Sequence, residues 1–370
     1  MNSPSLVAIT ASPEASGAEL VLTRYLASLV EQGWDVTVLR PDGDVAELLD
    51  PTGVHVCRIP SLKLDGPRRP AQVRSMLRRW SEAGETLARV AADADVVLAN
   101  SLHALPSVRA AAVRAPVAWL IHDVLRRADL KMVERLASPS VDLAIAVSDA
   151  AAARMRTRRV PTVVVRNGTE LTDRRVDLYR NDPPIAGIAA RLTPWKGQEI
   201  ALRALPLMER KLRLEIAGGA FSGDIDHVRF LHQLTTELGL DDRVTFLGHV
   251  ADPIDVMCGW SVALSTSVEP EAGPLTVVEA LSVGLPVVAT GHGGVVELDT
   301  PSVRLVPPGD PVALAAALDR VVADLDIIGG EALVDGPAYA REHFDIDRQH
   351  DRFEEALLDL VGRRSSHGLA

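Results

Sequence analysis

Short apolar runs alternate with amphipathic stretches along the whole chain. Residues 6–10, 35–39, 54–59, 95–99, 116–121, 141–147 and 162–165 form runs of strand length. Between them, 17–32, 71–92, 102–114 and a stretch opening at Ser148 carry apolar positions at helical spacing. Leu20, Leu22, Tyr25, Leu26, Leu29 and Val30 mark the first, and Gly33 closes it. The pattern restarts after a polar bridge at 172–184. Strands are predicted over 185–190, 212–217, 243–247, 262–266, 285–290 and 303–306, with helices over 196–205, 225–238, 311–325 and 346–362. Strands alternating with helices predict parallel strands joined by crossover helices. Two such halves predict an α/β fold of two doubly wound domains facing each other. Ligands are then expected at the strand C-terminal ends, in the crevice between the halves.

The segment EAGPLTVVE (271–279), continuing as ALSVGLPVVAT (280–290), organises the second half. Pro274 suits a first helical turn, where its missing N–H has no partner to lose. Gly284 suits the position past the helix end, and Pro286 stops continuation. A helix of about ten residues with Glu271 just ahead of it follows from these signals. Glu279 then lies inside the helix, between Val277, Val278, Ala280 and Leu281. A carboxylate in that company needs a specific partner.

Composition narrows the classes. A length of 370 residues suits two domains, each burying a core. The net charge of −11 excludes bulk nucleic-acid binding and leaves room only for a local basic patch. Cys57 and Cys258 are far apart and unpaired in spacing, which reads as a reducing compartment with no disulfide frame. No signal peptide and no run long enough to span a membrane occur, so a cytoplasmic protein is expected. Lysine is restricted to Lys63, Lys131, Lys196 and Lys211, against an arginine-rich background. The first strand is followed by TASPEASGAE (10–19), which lacks the Gly-x-Gly-x-x-Gly of a dinucleotide site, and no Walker lysine loop occurs.

Arg191 and Lys196 follow the strand predicted at 185–190, in a loop holding Pro194 and Gly197. Two cations this close at a strand C-terminal end can converge on a diphosphate, with Arg supplying bidentate geometry. The helix N-terminus after Glu271 adds backbone N–H groups and the positive end of its dipole. With no acidic metal cluster in the sequence, these groups would hold a departing diphosphate without a metal ion. Lys196 is expected in a first helical turn, where a cation opposes the dipole and therefore needs another reason to be there.

Taken together, the 271–297 segment with Gly293, Gly294 and Glu297, the Arg191…Lys196-Gly197 pair, VVVRNG (163–168), Gly17-Ala18-Glu19 and RVTFLGHV (243–250) resemble the family-4 retaining glycosyltransferases of the GT-B fold. The resemblance covers nearly the whole chain. It implies two Rossmann-like domains: an acceptor-binding domain over 1–172, with a C-terminal helix at 346–365 crossing back onto it, and a donor-binding domain over 173–345. It implies a nucleotide-diphosphate sugar as co-substrate, a UDP-sugar among the candidates, and no other cofactor or metal. Glu279 would contact the ribose, Glu271 the donor sugar, Arg191 and Lys196 the diphosphate, and backbone around Leu275 and Thr276 the phosphates. Gly248 to Val250 would border the base. Configuration would be retained through front-side attack, with the leaving phosphate helping to take the acceptor proton. The family often has Phe-Gly where this chain has Gly273-Pro274, and Pro274 lacks an N–H, so no phosphate contact is carried onto it.

In the first half the resemblance brings the Gly17 backbone against the ligand and places His122 near the reacting carbon. His122-Asp123 follows the strand at 116–121, and His103 is a further acceptor-side candidate. Asp123 capping a helix beside a packed His122, and a plain helix start at Gly17, are the structural alternatives. Ser148-Asp149 reads first as a helix cap. The basic segment 66–80, with Arg74, Arg78, Arg79, Met76, Leu77 and Trp80, can meet an anionic lipid or a phosphorylated acceptor, but a solvated helix face accounts for it more simply. The acceptor is therefore a secondary metabolite, a glycan or a lipid, with a soluble one favoured. An epimerase or phosphorylase on the same architecture, or a non-catalytic nucleotide-sugar binder, fits the same motifs. Nothing in the sequence sets an oligomeric state.

Overall fold

The computed structural model describes residues 3–63, 69–125, 128–157, 160–178, 181–328 and 335–367. The chain falls into two compact units, Met1–Arg166 with Asp347–Ala370, and Asn167–Ile346. The first unit holds β1 (Ser5–Thr10), β2 (Asp35–Arg40), β3 (His55–Arg58), β4 (Val96–Asn100), β5 (Val117–Ile121), β6 (Leu143–Ala146) and β7 (Thr162–Val164). They form one sheet in the order β3-β2-β1-β4-β5-β6-β7. The second holds β8 (Ile185–Ala189), β9 (Arg213–Ala217), β10 (Val244–Gly248), β11 (Val262–Ser265), β12 (Val287–Thr290) and β13 (Val303–Val306), ordered β10-β9-β8-β11-β12-β13. Every described strand pair is parallel. In each sheet the order reverses beside the first strand, between β1 and β4 and between β8 and β11. That is where a doubly wound sheet opens its ligand crevice.

The sequence explains the strands directly. β4, β5, β6, β8, β11 and β12 are buried at every residue. A parallel strand covered on both faces has no polar side, so it reads as an unbroken apolar run. Gly187 in β8 is there for space: a Cβ would lie 1.9 Å from the fully buried Trp260 ring. Gly187→Ala is expected to lower stability by about 3 kcal/mol, at the upper end of overpacking costs, read as a fall in melting temperature.

The C-terminal helix, Ile346–His367, packs within the first unit from Asp347 onward. Tyr25 stacks on Phe353 with centroids 4.0 Å apart and planes 11° from parallel, and Trp34 Nε1 donates to Glu354 Oε1 at 2.8 Å. Among the described residues no helix is long and apolar enough to cross a membrane.

Several predicted helices need correction. The 102–114 stretch is a 3-10 turn, Leu102–Ala104, followed by the shorter helix Leu105–Ala111. The 196–205 stretch begins at Gln198, because Gly197 breaks it with φ 67°. Lys196 is therefore in a 3-10 turn, Pro194–Lys196, and not in the first turn of the helix. The helix after Glu271 is Leu275–Ser282, with Pro274 as its N-cap instead of its first residue. Helices at Ala128–Ala137 and Gly336–His343 were not anticipated. Gly336–His343 is short and polar, whereas Ala128–Ala137 does carry Leu130, Val133 and Ala137 at helical spacing. Of the basic segment, 66–68 lie outside the described residues. The rest runs into the helix Pro70–Val90, where Arg74, Leu77 and Arg78 are exposed while Trp80 is buried.

Candidate active site

The second unit assembles its polar groups at the C-terminal ends of β8, β9 and β11. Arg191 leaves β8, and its carbonyl accepts from Gln198 Nε2 at 2.8 Å, which fixes the turn. Its guanidinium lies over the Phe221 ring, 4.3 Å from the centroid, in the loop after β9. That loop approaches closely because Gly218, with φ 155°, has no Cβ to strike Ala190 O, which would be 1.9 Å away. Among the described residues Arg191 Nε is buried and has no hydrogen-bond partner. A buried cationic donor without an acceptor is costly, so the position calls for an anion.

Lys196 is pinned from beneath. Thr266 Oγ1 donates to Lys196 O at 3.0 Å, and Val268 N donates to Trp195 O at 2.8 Å. A Cβ on Gly197 would sit 2.2 Å from Thr266 O, so only glycine permits this approach of turn to strand end. Lys196 Nζ pairs with Glu271 Oε2 at 2.6 Å and lies 4.4 Å from the Trp195 ring centroid. The other Glu271 oxygen accepts from Ser267 Oγ. Ser267 is itself held, since its carbonyl accepts from Thr290 Oγ1 at 2.8 Å and faces His292 Nε2 at 2.7 Å. A carbonyl only accepts, so that Nε2 carries a proton.

The Glu271 backbone is clamped as well. Gly294 N donates to Glu271 O at 2.8 Å, and Gly293, with φ 67°, packs directly beneath it. Asn167 Nδ2 donates to Gly273 O at 3.0 Å, fastening the loop just before the helix. Among the described residues no side chain caps that helix, so the N–H groups of Leu275 and Thr276 have no intrahelical partner. Glu279 is buried at 6% exposure, and its carbonyl accepts from Ser282 Oγ. Gly248 ends β10 with φ 70° and open space around its α-carbon, and Val250 is half-buried just after it.

In the first unit a polar chain crosses three strand ends. Thr10 and Asn100 are register partners at the ends of β1 and β4. His122 Nε2 is 2.9 Å from Asn100 Oδ1, Asn100 Nδ2 donates to Thr10 Oγ1 at 3.3 Å, and Thr10 Oγ1 donates to Glu19 Oε1 at 3.3 Å. Ser16 Oγ donates to the second Glu19 oxygen. Burial raises the Glu19 carboxyl above its usual range, against the pull of the Ser16 and Thr10 hydroxyls. Desolvation lowers the half-buried His122 to about 4. The ring is therefore neutral at physiological pH. Gly17 begins the helix Gly17–Glu31 with nothing near its α-carbon, so no steric need within this unit requires glycine. Asp123 is exposed beside His122, and His103 is in the 3-10 turn after β4.

Of the residues the sequence marks, the fold pairs Lys196 with Glu271 at 2.6 Å, sets Arg191 in the same loop after β8, and places Leu275, Thr276 and Glu279 on the helix that follows Glu271. Val250 and Gly248 stand at the end of β10, two strands from β8. Sequence reasoning missed Ser267, His292, Phe221, Thr10 and Asn100. Their only sequence signal is a polar or aromatic residue at or just beyond the end of an apolar run.

Among the described residues no group of three or more His, Cys, Asp or Glu side chains is placed to hold a metal ion. Two family models match the chain. The one described as "Glycosyltransferase Family 4" covers residues 15–173, and the one described as "Glycosyl transferases group 1" covers 170–327. The chain is similar to the D-inositol 3-phosphate glycosyltransferase of Stackebrandtia nassauensis, 33% identical over 170 residues, which is 42% of this chain and 38% of that protein. The protein of the same name from Streptomyces bingchenggensis is 30% identical over 205 residues, 50% of this chain and 44% of that one. The matched part is less than half the length of either relative. Among solved structures, Anabaena Alr3699/HepE in complex with UDP superposes with a TM-score of 0.79 at 27% identity, covering 96% of this chain and all of that one. The sucrose-phosphate synthase of Thermosynechococcus elongatus shares the fold at 20% identity, with a TM-score of 0.78 over 97% of this chain.

Proposed function

The chain belongs to the family-4 glycosyltransferases, and on that footing we propose that it moves a sugar from a nucleotide-diphosphate donor to a hydroxyl acceptor with retention of configuration. The observation that carries this reading is the buried, unpartnered Nε of Arg191 on the same strand-end surface as Lys196. Together with the uncapped N-terminus of Leu275–Ser282, these cations supply fixed positive charge for a departing diphosphate. Glu279 takes the ribose hydroxyls, and Glu271 takes the sugar once the diphosphate competes for Lys196. The bond from the anomeric carbon to the diphosphate oxygen breaks, a bond to the acceptor oxygen forms on the same face, and the acceptor proton leaves on a phosphate oxygen.

The UDP complex of the Anabaena protein makes a UDP-sugar the first donor to test. The names of the curated relatives make a phosphorylated cyclic polyol the first acceptor to test. Two half-buried free cysteines suit reaction in the reducing cytoplasm.

A thermal-shift screen of nucleoside diphosphates and their sugars tests the site, because a ligand bound only by the folded state raises the melting point. A matching nucleoside diphosphate is expected to do so, and Glu279→Ala to reduce both the shift and turnover at least tenfold. Donor turnover without acceptor would point to an epimerase, and a requirement for orthophosphate to a phosphorylase. Binding without nucleoside diphosphate release over a broad acceptor panel would leave only a binding protein.

A further inference from the structure

We propose that Asn100 is a positioning residue for the transfer: its amide oxygen holds the His122 ring with Nε2 protonated, and so leaves Nδ1 as an acceptor for a substrate hydroxyl. The proposal rests on the reading that His122 meets the substrates. The direction of the hydrogen-bond chain carries it. Glu19 accepts from Ser16 on one oxygen and from Thr10 on the other. The Thr10 hydroxyl has a single proton, so toward Asn100 it accepts, and it faces the amide nitrogen. With the nitrogen so committed, the amide oxygen points at His122, and an oxygen there only accepts. A neutral imidazole has one N–H, so Nδ1 keeps its lone pair. His122 then takes a hydrogen bond from a hydroxyl instead of giving one.

Two further features fit a built device. Thr10 and Asn100 are both fully buried, each following a run of four apolar residues, where an aliphatic residue is the simpler choice. The next residue, Ser101, has φ 89° and ψ 157°, a region almost restricted to glycine. Among the described residues its hydroxyl is buried without a partner, so its side chain does not hold this conformation; its backbone N–H donates to Leu120 O at 3.4 Å and its carbonyl accepts from Ala104 N at 3.4 Å. The strained residue turns the chain away as soon as Asn100 is in place. Glu19 and Asp123 are the titratable neighbours of this cluster, and desolvation raises both carboxyls above their usual range.

The test is imidazole 15N spectroscopy on the full chain together with steady-state kinetics, with His122→Ala identifying the signal. The wild-type ring is expected as the Nε2–H tautomer, with no titration near pH 6.5. Asn100→Leu keeps the branched shape, is somewhat larger, and lacks the acceptor. It should scramble the tautomer and lower kcat at least tenfold, with donor KM changed less than threefold. Asn100→Asp restores the acceptor, so it should recover the tautomer and part of kcat while raising the ring's titration toward neutral pH. If Asn100→Leu does not fold, Thr10→Val asks the same question, since it frees the amide to flip. An Nδ1–H wild-type ring overturns the proposal. So does an unchanged tautomer and kcat in Asn100→Leu, or an Asn100→Asp variant no better than Asn100→Leu. A tautomer that shifts as expected beside a fully active His122→Ala protein would instead overturn the functional reading of His122.

Discussion

Lys196→Ala is expected to lower kcat/KM for the nucleotide-sugar donor by about 100-fold or more while the fold survives. The magnitude follows from the charge that develops on a departing diphosphate: one preorganised donor aimed at such charge is worth about 3 kcal/mol, which is two orders of magnitude in rate. Lys196 is well placed for this because its turn is fixed by Thr266 and Val268, so little motion is needed when the ligand arrives. Its partner Glu271 then loses its counter-ion and keeps only the Ser267 hydroxyl. The pair is only partly exposed, at 16% and 15% for the two side chains, so some stability goes with it. That loss is expected to be about 1–3 kcal/mol, between the values for exposed and for buried pairs. Nucleoside diphosphate release and calorimetric titration with the nucleoside diphosphate separate the two effects. A purely structural pair would give Glu271→Ala and Lys196→Ala the same loss of stability and leave diphosphate affinity intact. Wild-type turnover in Lys196→Ala would remove the site assignment.

The parts of this architecture legible in the sequence are those that physical chemistry writes locally. β8, β11 and β12 are buried on both faces, so each is a short, largely apolar run, and its length and the flanking Gly and Pro distinguish it from a buried helix. Arg191, Lys196 and Glu271 stand within a few residues of predicted strand or helix ends, so the doubly wound topology makes the pairing of Lys196 with Glu271 expected. Groups that meet through strand register are not legible in this way. Thr10 and Asn100 are ninety residues apart, and only the parallel pairing of β1 with β4 makes them neighbours. Ser267 and His292 meet because β11 pairs with β12. The spacing predicts Lys196 in the first turn of a helix that runs through Gly197, whereas Gly197 ends a separate 3-10 turn. Its left-handed φ, and so the break between the 3-10 turn and the helix Gln198–Ala204, goes with the close approach of Thr266, just past the end of β11.

Gly293→Ala is expected to abolish most activity, with kcat/KM reduced about 100-fold, although residue 293 itself bears no chemistry. The left-handed backbone at φ 67° costs any L-residue about 1–2 kcal/mol, and that part is ordinary. What sets this glycine apart is what its Cβ would meet: Glu271 O at 2.1 Å, Glu271 N at 2.8 Å and Glu271 C at 3.0 Å. These are backbone atoms, so no rotamer change relieves the clash, and the Glu271 loop must move. The hydrogen bond from Gly294 N to Glu271 O goes first, and the carboxylate then leaves Lys196 and Ser267. A displacement of about 1 Å in a positioning group is enough for a 100-fold loss. Gly309 supplies the control, with φ 72° and nothing within 4 Å of its built Cβ. Gly309→Ala pays the conformational cost alone, so its melting temperature should fall slightly while turnover stays near wild type. Thermal melts and donor turnover on the two variants therefore separate left-handed strain from loop displacement. Full activity in Gly293→Ala would mean that the placement of Glu271 does not matter to the reaction.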